Sequence, residues 1–329
     1  MKLIRIAGTG SYLPEKVLSN FDLEEMVDTS NEWIRKRTGI SERRLARADQ
    51  AASDLGKEAA FKALEQAEME PDDLDLLIMA TITPDTCCPS GANWLEKKIG
   101  AHRAVSFDLT AACCGFLFGL SVAEHYLKVG TFANAMVVAA EVMSRTVNWQ
   151  DRSSAILWGD GAGAVILNTR SRNGAEIIST IVHTDGSRGE NLLMPGGGSR
   201  TTPISHESVD QGIHYLQLIE APTTFRIAVD HFAVACEEAL EVNGLTADRI
   251  ALYIPHQANL RIMQAMAKKL KVSMDRIFVN IDRYGNISSA SMAIALDEAS
   301  QQGRIKKGDL VLLCGFGGGL TWGSSLIRW

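Results

Sequence analysis

Three residues with side chains suited to acyl chemistry stand at chain turns: Cys113 in FDLTAACCGFLFGL, His256 in YIPHQANLR and Asn286 in DRYGNISSAS. An apolar run ends near Leu109, small residues follow, and Phe116, Leu117, Leu120 and Val122 then recur at roughly helical spacing. Cys113 is therefore expected at a strand-to-helix turn. The positive end of a helix dipole and its unpaired backbone N–H groups favour an anion there. Both effects are expected to lower the thiol pKa and favour thiolate. Ala111, Ala112 and Gly115 leave room for a substrate to approach, although a tight helix–sheet packing site also explains such small residues. His256 lies just past an apolar strand and before a helix, and Asn286 lies in a loop after a strand, where functional groups concentrate. A Cys, a His and an Asn permit two chemistries. One is hydrolysis, with His as base and Asn orienting it, but the local signature C-G-[SA]-C-[WY] is absent. The other is condensation, with His and Asn donating hydrogen bonds to a developing enolate oxygen.

These turns must be positioned by the surrounding elements, and the chain shows an internal repeat that does so. Ala63-Leu64-Glu65 recurs as Ala239-Leu240-Glu241, 176 residues later (239 − 63). In each copy an amphipathic helix ends near a turn and an apolar strand follows, LDLLIMAT in one and IALYIPH in the other. A second helix follows, and then a strand running into a small-residue turn and another helix: AVSFDLTAACCGFLFGL and RIFVNIDRYGNISSASMAIAL. Alternating strands and helices predict an α/β fold with mostly parallel pairing. The duplication predicts two similar halves, residues 1–174 carrying the cysteine and 175–329 carrying His and Asn, related by a pseudo-twofold. The boundary falls in the surface turn TRSRNGAE. Equivalent turns then carry Cys113 and the Asn286 region, and the pseudo-twofold brings them together. The glycine-rich GDGAGA and GFGGG fit neither a phosphate loop nor a dinucleotide fingerprint. They are expected instead at strand-to-strand turns that need positive φ.

Composition narrows the function classes. A chain of 329 residues with 46% hydrophobic and 22% charged residues fits a globular protein of two domains or one duplicated domain. A net charge of −6 argues against a general nucleic-acid binder. The start, MKLIRIAGTGSYLPEK, lacks the apolar core of a signal peptide, and no stretch reaches the length of a membrane span, so a soluble cytoplasmic protein is expected. Six cysteines without C-x-x-C spacing suggest neither zinc nor a disulfide framework, and no metal site is expected.

Eight ordered segments, GTGSYLPE, DTSNEWIRKRTGI, FDLTAACCGF, DRSSAILWGDGAGA, PHQANLRI, DRYGNISSAS, ALDEA and FGGGLTWGSSLIRW, make the sequence closely similar to β-ketoacyl-acyl-carrier-protein synthase III, nearly end to end. The resemblance implies the thiolase fold, a duplicated five-layered αβαβα arrangement with two mixed sheets, and a homodimer. It implies a decarboxylative Claisen condensation of an acyl-CoA primer with malonyl-acyl carrier protein through an acyl-cysteine, the initiation of type II fatty acid synthesis. Coenzyme A enters as a substrate thioester, and no cofactor is implied. The resemblance assigns Cys113 as nucleophile, His256 and Asn286 to the malonyl half-reaction, and the backbone N–H groups of Cys113 and Gly318 as oxyanion donors. Trp33 and Arg152 would sandwich the adenine of CoA, Thr29 and Arg37 would line the same site, and Asn259 would reach the pantetheine. Arg226, Arg261, Lys268 and Lys269 would dock the acidic acyl carrier protein. The last three lie at i, i+7 and i+8, one helix face.

The sequence departs from the family pattern at two points. Ala221-Pro222 stands where the family usually has Gly-Asn, and proline removes a backbone donor near pantetheine. The preceding segment, residues 195–212, is long and reads as a flap. Cys88 stands where acetyl-preferring members often have phenylalanine closing the acyl pocket across the dimer, which implies a deeper pocket for a longer or branched primer. A specialised condensing enzyme of secondary metabolism, of quinolone or polyketide type, is the alternative that the Ala221-Pro222 change keeps open.

Overall fold

The computed structural model describes residues 2–170, 174–201, 204–219 and 221–329, with the side chain of 221 left out. Nine strands make one mixed sheet. They are β1 (Arg5–Tyr12), β2 (Leu76–Ala80), β3 (Val105–Leu109), β4 (Asn134–Val142), β5 (Asp160–Asn168), β6 (Ala175–Thr184), β7 (Leu252–Pro255), β8 (Leu310–Gly317) and β9 (Thr321–Arg328). Their spatial order is β7-β8-β9-β6-β1-β5-β4-β2-β3. The strands before residue 174 thus run β3-β2-β4-β5-β1. Those after it run β7-β8-β9-β6, with a backbone bridge from Tyr253 to Ile277 on the outer side of β7. The two sets meet where Arg5 pairs with Glu176 and Ile6 with Ala175, so the two expected sheets share one unbroken hydrogen-bonded ladder.

Two expectations about this sheet are corrected. Pairing is mixed rather than mostly parallel: only β2–β3, β2–β4 and β7–β8 run parallel. The cause is connectivity, since β8 returns as β9 through a tight turn at Gly318–Leu320 with no crossover helix. The strand expected in the second copy at RIFVN contributes only the Ile277 bridge.

The long helices are α1 (Asn31–Thr38), α2 (Ala52–Ala67), α3 (Gly91–Ile99), α4 (Gly115–Val129), α5 (Ala221–Val242), α6 (Leu260–Leu270) and α7 (Ala290–Gln301). Three apolar clusters define five layers. One joins α2 and α3 to the outer face of the first strand set, through Leu55, Leu64, Leu95 and Met79. The central cluster sandwiches α4 and α7 between the two sets, through Phe116, Leu120, Met292 and Leu296. The third packs α5 and α6 on the far face, through Phe232, Met263, Leu312 and Leu326. α4 and α7 follow the Cys113 and Asn286 turns, so burying both helices in one layer draws both turns toward the middle of the molecule.

Gly161 and Gly163 of GDGAGA lie inside β5, not at a turn, Gly159 immediately precedes the strand, and none of the three has positive φ. Their role is close approach: a Cβ on Gly163 would lie 2.6 Å from the Ala293 Cβ and 2.7 Å from the α7 backbone. Part of the expected boundary turn, residues 171–173, lies outside the described residues. No helix among the described residues is long and apolar enough to cross a membrane.

Candidate functional site

After β3 the chain makes a single 3-10 turn, Ala112–Cys114, that runs directly into α4. Ala112 has φ +46°, a left-handed conformation that turns the chain sharply just before Cys113. The end of β8 presses against this turn. A Cβ on Gly317 would lie 2.8 Å from the Cys113 backbone N and 3.1 Å from its Cβ, so only glycine fits. The Thr321 hydroxyl lies 3.1 Å from both the Ala111 and the Gly318 carbonyls and ties the two segments together. The Gly318 amide, in the turn between β8 and β9, donates to no backbone acceptor among the described residues.

The expected turn is therefore present, but its expected effect on the thiol is not. Cys113 is only 5% exposed, and burial pushes its pKa up to about 12. The buried Glu141 carboxyl nearby pushes the same way. Desolvation of a thiolate outweighs what one short helical turn supplies, so the free enzyme holds a neutral thiol.

His256 follows β7, and its backbone N–H donates to the Cys314 carbonyl of β8 at 2.8 Å. The ring is 1% exposed, and neither ring nitrogen has a hydrogen-bond partner among the described residues. Burial alone lowers its pKa to about 3, so the imidazole is neutral. Asn286 is held by its own backbone: its N–H donates to the Leu157 carbonyl (2.8 Å) and its carbonyl accepts from Gly159 N–H (3.0 Å). Its Oδ1 accepts from Ser288 N–H at 2.8 Å. That bond orients the amide and leaves Nδ2 as a donor without a partner among the described residues. Among the described residues the imidazole is thus buried without a partner, and the carboxamide Nδ2 of the nearly buried Asn286 has no hydrogen bond either.

The Cys113 and Asn286 turns do come together. Ser288, two residues past Asn286 and itself at φ +46°, turns its hydroxyl toward both Cys113 and Glu141, with no hydrogen bond of good geometry to either. The first turn of α4 packs on the next residue, since a Cβ on Gly115 would lie 3.2 Å from the Ser289 Cβ. Behind them, Glu141 Oε2 accepts from Ile82 N–H (3.1 Å) and from the Thr83 (2.6 Å) and Thr81 (3.2 Å) hydroxyls. Its Oε1 lies 2.8 Å from Ser289 Oγ. Burial raises the Glu141 pKa despite these bonds.

A second group of residues lies on the protein surface. The Trp33 indole has the Arg152 guanidinium over it at 4.6 Å and that of Arg37 at 4.9 Å. Asn259 caps α6 by accepting from Arg261 N–H (2.9 Å) and donates to the Arg37 carbonyl (3.0 Å). The Thr29 hydroxyl is buried without a partner among the described residues. A cavity of about 500 Å³ lies beside this group, between the 148–158 segment and residues 211–219, with Asp151, Leu157, Trp158 and Leu216 in its wall. Of the basic residues, Arg226 and Lys268 are exposed, Arg261 lies over the Phe225 ring at 5.5 Å, and Lys269 pairs with Asp230 at 2.8 Å. Cys88 is exposed on the loop before α3. Pro222 lies in the first turn of α5, where the missing N–H is one the helix does not use. Within residues 195–212 the chain forms a short helix, His206–Asp210, and 202–203 fall outside the described residues.

Sequence reasoning missed Ser288, Glu141 and the buried Arg43. Glu141 carried a signal, a carboxylate inside the apolar run NAMVVAAEV of β4. Arg43, in ERRL, carried none.

Two family models match the chain: one described as 3-oxoacyl-[acyl-carrier-protein] synthase III over residues 107–186, and one as the C-terminal part of the same enzyme over residues 240–329. The β-ketoacyl-[acyl-carrier-protein] synthase III of Caldanaerobacter subterraneus subsp. tengcongensis is 49% identical over 324 residues, spanning 98% of this chain and 97% of that one. The crystal structure of the 3-oxoacyl-[acyl-carrier-protein] synthase III of Aquifex aeolicus superposes with a TM-score of 0.91 at 42% identity, covering 99% of this chain and 100% of that one. The priming β-ketosynthase of the R1128 polyketide pathway superposes with a TM-score of 0.90 at 34% identity, covering 99% and 96%.

Proposed function

The chain belongs to the 3-oxoacyl-[acyl-carrier-protein] synthase III family, and from that membership we propose how its residues divide the reaction. The activity is the decarboxylative Claisen condensation of an acyl-CoA primer with malonyl-acyl carrier protein, which initiates type II fatty acid synthesis. In the first half, the Cys113 sulfur attacks the acyl-CoA carbonyl. The Cys113 and Gly318 N–H groups hold the developing oxyanion, and the thiol proton leaves on CoA. In the second half, His256 and Asn286 donate hydrogen bonds to the malonyl thioester carbonyl. The C–C bond to the carboxylate breaks, CO₂ departs, and the enolate attacks the acyl group on Cys113; the sulfur leaves as thiolate and takes up a proton from water, which restores the neutral thiol. The order is ping-pong.

The observation that carries this division is the pair of unsatisfied donors. A buried polar group left unpaired costs about 1–3 kcal/mol, which applies to the His256 ring; Asn286 Nδ2 adds a second donor without a hydrogen bond among the described residues. A thioester oxygen placed between them recovers that cost only when substrate is bound. Trp33, Arg37, Arg152, Thr29 and Asn259 bind CoA in this reading. With Arg152 stacked directly on the indole, adenine enters only as the guanidinium lifts away. Arg226, Arg261 and Lys268 form the basic face for the carrier protein, and Lys269 contributes less because Asp230 neutralises it. The shared strand order on either side of residue 174 supports two equivalent halves. Coenzyme A serves as a substrate, and the scheme needs no further cofactor.

Intact-protein mass spectrometry after incubation with an acyl-CoA series tests both the nucleophile and the primer. One acyl adduct on Cys113 is expected, extending beyond acetyl because Cys88 replaces a bulky ring. Asn286→Ala is expected to keep loading and lose malonyl decarboxylation. Undiminished decarboxylation in that variant would remove Asn286 from the mechanism.

A further inference from the structure

Arg43 is among the largest fully buried side chains of the molecule, at 0% exposure. A guanidinium this deep is costly unless paired, yet no carboxylate lies within ion-pair distance of it among the described residues, and its Nε has no partner. Burial lowers its pKa to about 10, which still leaves it charged at neutral pH, with Glu42 and Asp22 acting on it only from a distance.

What it holds is backbone and one amide. Nη1 donates to the Leu18 carbonyl (3.1 Å) and to Asn20 Oδ1 (3.0 Å), and Nη2 donates to the Ile156 carbonyl (2.8 Å). Asn20 is itself fully buried and passes the link on, since its Nδ2 donates to the Ile40 carbonyl (2.7 Å) and to Asn31 Oδ1 (3.1 Å). Asn31 opens α1 and Ile40 follows its C-cap Gly39, and α1 carries Trp33 and Arg37. On the other side, Ile156 closes the short helix Arg152–Ala155. The next residues, Leu157 and Gly159, make the two backbone bonds that fix Asn286. Arg43 also lies directly beneath that ladder. A Cβ on either Gly159 or Gly285 would lie 3.3 Å from the Arg43 Cβ.

We propose that Arg43 is a positioning residue that fastens both jaws of the CoA clamp, the Trp33 helix and the Arg152 helix, to the backbone ladder that aims Asn286. The proposal rests on the site assignments above. These elements touch at the surface, where Arg152 stacks on Trp33 and donates to the Asp28 carbonyl (3.2 Å); beneath that contact one charged group with three hydrogen bonds ties their backbones together, and its planar fork reaches acceptors on both sides at once, which a lysine cannot do.

The test compares two variants by KM for acyl-CoA in Cys113 loading and by kcat for malonyl decarboxylation. Arg43→Lys keeps the charge but cannot span both sides. It is expected to raise KM about tenfold and lower kcat about tenfold, as small misplacements of reacting groups do. Asn20→Ala cuts only the branch toward α1 and leaves the Ile156 bond. It is expected to raise KM by about tenfold with kcat within about twofold of wild type. That split is a readout that general loosening of the fold does not give. A folded Arg43→Lys enzyme with both constants unchanged overturns the proposal, as does an Asn20→Ala enzyme in which KM stays put or the two constants move together. If Arg43→Lys does not fold, Asn20→Ala alone decides. Trp33→Ala and Asn286→Ala serve as controls: if they fail to move KM and kcat respectively, the site assignment falls rather than the role of Arg43.

Discussion

The neutral state of His256 has a measurable consequence for stability. The ring is 1% exposed and its pKa falls from 6.5 to about 3 through burial alone. In the unfolded chain this group takes up a proton as pH falls through about 6.5, whereas in the folded protein it does so only near 3. Between those values the unfolded state binds more protons, so stability rises with pH and is lost as pH falls. A separation of about 3.5 units at about 1.36 kcal/mol each gives a full loss of about 5 kcal/mol, of which about 3 kcal/mol has gone by pH 4. Carboxylates titrate over part of the same range, so the measurement is a difference. Unfolding by urea is followed for wild type and His256→Asn at pH 7 and pH 4, at one protein concentration. Wild type is expected to lose about 3 kcal/mol more than the variant over that interval. A difference between the two proteins that stays constant within about 1 kcal/mol refutes a buried neutral ring. The same reasoning requires that malonyl decarboxylation show no step near pH 6.5 that His256→Asn abolishes, because the imidazole does not titrate there.

Alkylation of Cys113 by iodoacetamide in the free enzyme should accelerate about tenfold per pH unit from pH 7 to 10 without a plateau, because the thiol is pushed up to about 12; saturation near pH 8 contradicts the buried-thiol reading. Stability from this group is present below its ordinary pKa of 9.0 and declines as pH rises from there toward 12. Gly317→Ala places a Cβ 2.8 Å from the Cys113 N. It should cost roughly 1–3 kcal/mol of stability and about a hundredfold in acyl loading, as the oxyanion donors are displaced; loading at the wild-type rate rules out that geometry. Arg261→Glu should raise KM for the carrier-protein substrate at low salt and leave KM for malonyl-CoA unchanged. An unchanged KM for carrier protein removes Arg261 from the docking face.

Which parts of this site were legible in the sequence follows from how local each cause is. The Cys113 turn was readable because strand, small residues and helical spacing sit in one stretch of chain, and the structure has the turn there. The internal repeat led to the convergence of two turns because α4 and α7 are both apolar and must share a layer. The thiol's ionisation was not legible. It depends on β8 closing over Cys113 through Gly317, some 200 residues away in the chain, and on the Glu141 carboxyl. The GDGAGA glycines misled for a related reason: a glycine required by a helix packing on a strand looks the same in sequence as one required by a turn. Arg43 had no local signature, since its partners are carbonyls, which every residue has.

A neutral Cys113 thiol and a neutral His256 imidazole do not conflict with the proposed nucleophilic catalysis. Removing the Cys113 proton at pH 7 against a pKa of about 12 costs about 7 kcal/mol. A turnover of about 10 per second corresponds to a barrier of about 16 kcal/mol, so some 9 kcal/mol remains for the attack itself. That remainder already includes the about 3–4 kcal/mol that the proposed oxyanion donors contribute as charge develops. The high thiol pKa also keeps a buried sulfur inert while the pocket is empty, because oxidants and alkylating agents react with thiolate. The same logic holds on the malonyl side. In the proposed reaction, the His256 ring and Asn286 Nδ2 have no partner among the described residues to give up, so their donors are available to the bound thioester oxygen and to the enolate that follows. In that scheme both half-reactions begin from uncharged protein groups, and charge appears only as the Cys113 sulfur attacks in the first and as the malonyl carboxylate leaves as CO₂ in the second.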